Sequence, residues 1–581
     1  MKRLLFLLTC ALSLPAFADS KDALEKLLAD VFAYNLAVNP VEATSHGDTS
    51  NNDKLEDNSP AALKLQAKQY QTFLQQLHDI DYSALPRSEQ ITYKVQEYYL
   101  KNAIDQYTFN AHYMPFTSES GFFSSLTFLT SVHQFQTEQD YQDYLARLAQ
   151  FPAYFEQQIY WLREGIKAGM TQPKAVLNGL PETVANFYSI PANESSFYRP
   201  FKSLEKTKLS SEEKAALQEK AQSIIANNVF KAYRSLHTFL VNEYIPNAKT
   251  NISAYAWPNG EAYYQNRIRH FTTVDMTANE IHQLGLKEVS RIRSEMESVI
   301  ESVKFEGDLQ AFIQYLRTDP QFYAKSEQEL LEYAAYLSKR MDGKLPKLFS
   351  HLPRIPYGVE PVPASIAPKY TTGRYIPPSN DTEPGYYWVN TYALDKRPLY
   401  ALPALTLHEA VPGHHLQIAL SYELDNLPPV RRYGYISAFG EGWGLYAEYL
   451  GKEVGFYETP YDEFGRLSYE MWRAARLVVD TGMHSKGWSR QKAIDFMMEN
   501  TALSELNIIS EIDRYISWPA QALSYKIGEL TIKRLRHKAE SELGDKFDIR
   551  EFHKILLEHG SIPLAILEDN VQLYIEKAKR S

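Results

Sequence analysis

The 581-residue chain has a single cysteine, Cys10. That residue lies in the segment that reads as a leader, so the mature chain has no thiol, no disulfide and no cysteine metal ligand. No stretch after the leader reaches the ~20 apolar residues needed to cross a bilayer as a helix. Long basic runs are missing as well. With a net charge of −10 and a pI near 5.9, and no long basic cluster to neutralise phosphates, the composition argues against nucleic acid as a partner. Repeats, low-complexity tracts and alternating strand patterns are scarce too. The hydrophobic share of 44% and charged share of 23% are those of an ordinary soluble globular protein.

What is present begins with the leader. MKR is a basic start, LLFLLTCALSL an apolar core, and AFA-D a small-x-small cleavage site after Ala18. This predicts a signal peptide over 1–18 and a periplasmic or secreted protein. Lipid attachment at Cys10 is the weaker alternative, because Thr9 is a poor residue before a lipobox cysteine. The 41 tyrosines hint at a polar-apolar binding channel.

Helical periodicity dominates the rest. Apolar residues recur at i, i+3, i+4 and i+7 over 22–38 and 61–77, and again near 138–165, 211–243, 277–303, 326–341, 461–483, 518–540 and 562–578. The best strand is GYYWVNTY, 385–392, aromatic and β-branched. Residues 351–385 carry eight prolines and read as a long structured loop or linker. The expected architecture is mainly α. An N-terminal helical part (19–350) and a C-terminal catalytic part (351–581) flank a channel within one structural unit, and a small β element precedes the motif helix.

The chemistry concentrates in HEAVPGHHLQ, 408–417. It opens with His-Glu like a zinc peptidase helix, but position i+4 is Pro412, and histidines arrive only at 414 and 415. On an ideal helix His415 lies about 20° from His408, and His414 about 120°. Pro412 cannot donate to the His408 carbonyl and its ring clashes there. Gly413 permits unusual backbone angles. A bulge or break at 410–413 would return His414 to the metal, so spacing leaves both histidines open. Two imidazoles and a carboxylate suit zinc and leave one position for water. Glu409 then acts as general base and acid. The following segment SAFGEGWGLYAEYLG, 437–451, supplies Glu441 as a third ligand. Glu448, seven residues on and on the same face, is a carboxylate able to hold an imidazole N–H.

HEAVPGHHLQ, EGWGLYAE, RAARLVVDTGMHSKGWS (473–489) and EIDRYISWPAQALSYKIGEL (511–530), in this order, resemble domain of unknown function family 885. That is a group of mostly bacterial, often exported helical proteins regarded as zincin-like peptidases. The resemblance spans most of the mature chain and is strongest from about 370 onward. It implies a large helical zincin-like fold of the glutamate-ligand (gluzincin) type. It also implies His408, His414 and Glu441 as zinc ligands, with His415 the alternative to His414, and Glu409 as base. A looser similarity to helical oligopeptidases with compact HExxH spacing carries over by analogy alone.

Further candidates follow from residue type. Arg476, Asp480 and His484 share one helix face at i, i+4 and i+8. Asp480 would orient His484, and His484 would donate to an oxyanion. Tyr515 and Tyr525 would donate to a tetrahedral intermediate, and Arg514 or Lys526 would hold a substrate carboxylate. GYYWVNTY would pair with an extended substrate, with Asn390 adding a side-chain contact. The resulting expectation is a secreted zinc metallopeptidase acting on short peptides. The rival readings are a zinc amidase or esterase on cell-wall peptides or small amides, and a non-catalytic periplasmic peptide-binding protein.

Overall fold

The computed structural model describes residues 14–364, 366–378 and 383–580. Cys10 and residues 1–13 of the expected leader lie outside the described residues. The fold is mainly α-helical with one three-stranded sheet, as the periodicity predicts. It forms two compact units. One runs to Ile252 and takes in Ala256–Gly260; the other comprises Ser253–Tyr255 and the chain from Glu261. The division therefore falls well before the proline-rich stretch where the sequence places it. The reason is packing: the helix Ala278–Ser302 lies along the helix Pro460–Ser485, so the chain after 260 already belongs to the second unit.

The first unit is built on amphipathic helices. Leu14–Val38, Pro60–His78 and Arg87–Thr108 bury Leu24, Leu27, Val31, Phe73, Leu77, Tyr93 and Leu100 in a shared core. Ser59 caps the second of these, its side chain accepting from the Ala62 amide.

The second unit carries every residue singled out for chemistry. Its central helix, Pro460–Ser485, starts at a capping box between Thr459 and Asp462 and is buried throughout from Phe464 to His484. A helix buried on all sides must pair every charge it carries. Arg466 meets Glu470 at 2.6 Å, and Glu470 meets Lys526 at 2.8 Å. Lys526 also reaches Glu529 at 2.7 Å and Glu288 at 3.3 Å.

The sheet has strand order β1-β3-β2, with β1 Tyr357–Pro361, β2 Gly373–Ile376 and β3 Gly385–Val389. β1 pairs parallel to β3, and β2 antiparallel to it. The proline-rich stretch is thus more than a loop, because it contributes both outer strands. Pro361 ends the edge strand β1, and the other prolines lie before, between and after the two strands, where a missing amide costs little.

Candidate metal centre

The motif helix, Leu402–Glu409, is buried through His408. It stops at Glu409, and a second helix starts at His414 and runs to Tyr422. The break expected at 410–413 is there. Ala410 still donates to the Thr406 carbonyl at 2.9 Å, after which the chain turns through Val411, Pro412 and Gly413. A Cβ on Gly413 would lie 1.9 Å from the His408 carbonyl oxygen, so only glycine lets the backbone pass this close to the last turn. The Trp443 indole donates to the Pro412 carbonyl at 2.8 Å and fixes the turn.

This turn separates the two histidines. Nε2 of His414 lies 3.4 Å from Oε2 of Glu441, and Nε2 of His408 lies 3.7 Å from the same oxygen. One donor atom from each of the three residues falls within 4.8 Å of the others. His415 points elsewhere. Its Nδ1 accepts from the Tyr375 hydroxyl at 3.0 Å, its ring packs on Tyr357, and burial pushes it down to about 4.

Glu441 comes from the helix Ser437–Glu453, whose neighbouring glycines allow close approach. A Cβ on Gly444 would meet the His408 ring at 2.8 Å. Glu448, two turns on and fully buried, accepts from Nδ1 of His408 at 2.8 Å, so Nε2 is left facing Glu441. Burial opposes the charge on His408, but Glu441, Glu448 and Glu409 outweigh it and lift the imidazole to about 10. Burial likewise opposes ionisation of Glu441, and the His414 and His408 imidazoles reverse this and hold it well below the usual carboxylate range.

The donor set fits a divalent ion. Two imidazole nitrogens and one ionised carboxylate suit zinc, and ligands at ~2.0–2.1 Å in a tetrahedron stand about 3.3 Å apart, close to the two separations to Glu441. Buried bare, His408 and Glu441 are both displaced from their ordinary values, as groups at functional sites are.

Glu409 ends the motif helix half-buried. Its Oε2 accepts from the Tyr375 amide at 2.8 Å. Asn390 donates to the Thr372 carbonyl at 2.9 Å. Pairing alternates in an antiparallel ladder, so the backbone groups of Gly373 and Tyr375 face away from β3, toward the free edge. GYYWVNTY therefore cannot receive a substrate strand: β3 is the middle strand, covered on both sides, and β2 holds the edge beside Glu409. Asn390 is also withdrawn. It is fully buried, and its amide donates to the carbonyls of Ala367, Tyr370 and Thr371 at 2.9–3.1 Å, pinning the loop before β2.

Several other expected residues are structural. His484 is fully buried, with Nε2 on the Tyr515 carbonyl at 2.9 Å and Nδ1 accepting from the Ala254 amide at 3.0 Å. Both nitrogens are used, so it cannot donate to an oxyanion. Asp480 does not orient it; it accepts from the Tyr264 hydroxyl at 2.5 Å and from the Ala520 amide. Arg476 pairs with Glu511 at 2.9 Å rather than with Asp480. The Tyr515 hydroxyl accepts from Arg476 and Trp472 and donates to Glu511. Lys526 is fully buried among its three carboxylates and cannot meet a substrate. Arg514 donates to the Gln521 side chain at 2.6 Å and keeps a small exposed fraction.

Tyr525 does reach the centre. Its ring lies 6.5 Å from that of His408, nearly parallel, with the Arg476 guanidinium 4.2 Å from its centroid. Two residues went unnoticed in the sequence. The Tyr435 hydroxyl donates to Oε1 of Glu441 at 2.8 Å, the oxygen not shared with the histidines. Arg374 sits exposed on β2, next to the amide that holds Glu409. Neither has a periodic signal: one precedes its helix in a loop, and the other lies among the prolines.

Comparison with known proteins shows the family of the chain and relatives of its fold. A bacterial family described as "Bacterial protein of unknown function (DUF885)" matches residues 40–571. No curated protein matches. Among solved structures, "the putative lipoprotein from Colwellia psychrerythraea" is 30% identical, with a TM-score of 0.88 over 96% of this chain and 99% of that one. "A putative lipoprotein of unknown function from Shewanella oneidensis" shares the fold at 18% identity, with a TM-score of 0.75 over 95% and 99%. The chain belongs to the DUF885 family.

Proposed function

We propose that this DUF885 member is an exported, zinc-dependent peptidase acting on short peptides. The observation that carries the reading is the convergence of His408, His414 and Glu441 beside a glutamate, Glu409, held by a strand-edge amide. The apolar leader-like start and two structural relatives described as lipoproteins support export.

A divalent ion bound by the three donors would supply Lewis acidity toward a scissile carbonyl and the attacking water. The chain's own groups do the rest. The Tyr375 amide fixes Oε2 of Glu409 and thereby the carboxyl rotamer. Glu409 takes a proton from the attacking water and hands it to the leaving amine. Glu448 keeps the proton of His408 on Nδ1, so that Nε2 stays a lone-pair donor. Tyr435 occupies the outer oxygen of Glu441 and restricts that carboxylate to one binding atom. Tyr525, stacked beside His408, presents a phenol to the negative charge that develops on the carbonyl oxygen.

Elemental analysis of purified protein should find about one zinc per chain, lost in His408→Ala. Glu409→Gln should keep the metal and lose hydrolysis of a peptide library by about 10²-fold or more. Metal-free protein, or undiminished hydrolysis in Glu409→Gln, would sink the proposal.

A further inference from the structure

Arg374 lies in the middle of β2, the edge strand beside the metal-binding cluster. Side chains alternate along this strand. Tyr375 is buried toward His415, whereas Arg374 is solvent-accessible on the other face. The neighbouring amide, that of Tyr375, is the one that grips Glu409. The Arg374 guanidinium rests 5.5 Å from the Tyr370 ring centroid and forms no ion pair among the described residues. Burial works against its charge, while Tyr370, Glu409 and Tyr525 support it and Arg514 opposes it. The strand thus places Arg374 one residue from the amide that holds the proton-transferring carboxylate. Arg514 is partly satisfied by Gln521 and Glu511; Arg374 has its whole donor fork to offer.

A guanidinium fork matches a carboxylate with two parallel N–H···O bonds. The outward-facing backbone groups of Gly373, and the Tyr375 carbonyl, suit an extended peptide main chain. With only four residues in β2, the paired length is about 13 Å, so the end of a short peptide lying along it is within reach of the long Arg374 side chain at mid-strand. We infer that Arg374 binds the C-terminal carboxylate of the substrate, which makes the enzyme an exopeptidase working from the C-terminal end. This rests on the peptidase reading above and names its substrate class.

The test is calorimetric and needs no turnover. Ala-Ala-Phe as free acid and as C-terminal amide is titrated into Glu409→Gln protein, with and without zinc. The acid should bind about tenfold tighter or more. Arg374→Met should bring the acid down to the level of the amide and leave the amide and the melting temperature unchanged. Equal binding of acid and amide, or a preference that survives in Arg374→Met, overturns the inference. So does an amide carrying an internal aspartate that binds as well as the acid. The two readings fail separately. Lack of zinc and of hydrolysis with an Arg374-dependent acid preference removes the reaction and keeps the subsite. Hydrolysis of acid and amide alike does the reverse.

Discussion

Nδ1 of His408 donates to Oε1 of Glu448 at 2.8 Å, and both groups are buried. This one bond decides which imidazole nitrogen faces Glu441. It also ties two helices together, since Glu448 sits two turns beyond Glu441 on the same face. Partners of this kind set the tautomer and basicity of a metal-binding histidine. Glu448→Gln should therefore weaken zinc affinity by about 10–100-fold, measured by chelator competition. Unchanged affinity would show that the bond is merely structural.

Gly444 faces the His408 ring so closely that an alanine Cβ would lie 2.8 Å from it. Alanine is favoured over glycine within a helix by about 1 kcal/mol, so the helix itself has no reason to suffer. Gly444→Ala should displace the imidazole, lower zinc uptake and activity together, and leave the helical circular dichroism intact. Full zinc occupancy in this variant would contradict the geometry.

Among the described residues, Lys526 is the single cation common to Glu288, Glu470 and Glu529. Burial opposes its charge, and these carboxylates outweigh it and hold it above its ordinary value. Lys526→Met leaves buried carboxylates short of a partner. The expected loss is about 3–5 kcal/mol, read from denaturant unfolding. A loss below 1 kcal/mol would mean that Arg466 and Arg291, which also pair with Glu470, and Lys533, which pairs with Glu529, suffice.

Asp480 and His484, one turn apart, respond to pH with opposite signs. Burial raises Asp480 to about 7. Its proton is held by the folded state, so its contribution is complete below about pH 4 and is lost as pH rises through 7. Burial lowers His484 to about 4. The unfolded chain takes up that proton first, so stability falls as pH drops from about 6.5 to 4. Asp480→Asn should accordingly gain stability over wild type at pH 8 and gain nothing at pH 4. Melting curves across this range decide it, and a uniform shift at all pH values would refute the linkage.

The helical character and the break at Pro412 were legible in the chain itself. Periodicity marks buried faces, and proline and glycine act on their own backbone whatever surrounds them. The convergence of His408 with Glu441 was legible in part, because the residue types announce a metal and the glycine-flanked glutamate stands out. His414 over His415 was not: on an ideal helix the spacing favours the wrong one, and only the path of residues 410–413 reverses it. Nor did sequence give the fates of Asp480, His484, Tyr515 and Lys526. These residue types serve catalysis and burial equally, and their partners Tyr264, Ala254, Trp472 and Glu288 come from distant or separate helices and loops. Arg374 and Tyr435 had no local signal at all. Local backbone physics therefore fixed where the chain coils and where it must stop. Which buried charge meets which, and which side chain is left with donors to spare, depended on packing between elements far apart in sequence, and only the folded structure decided that.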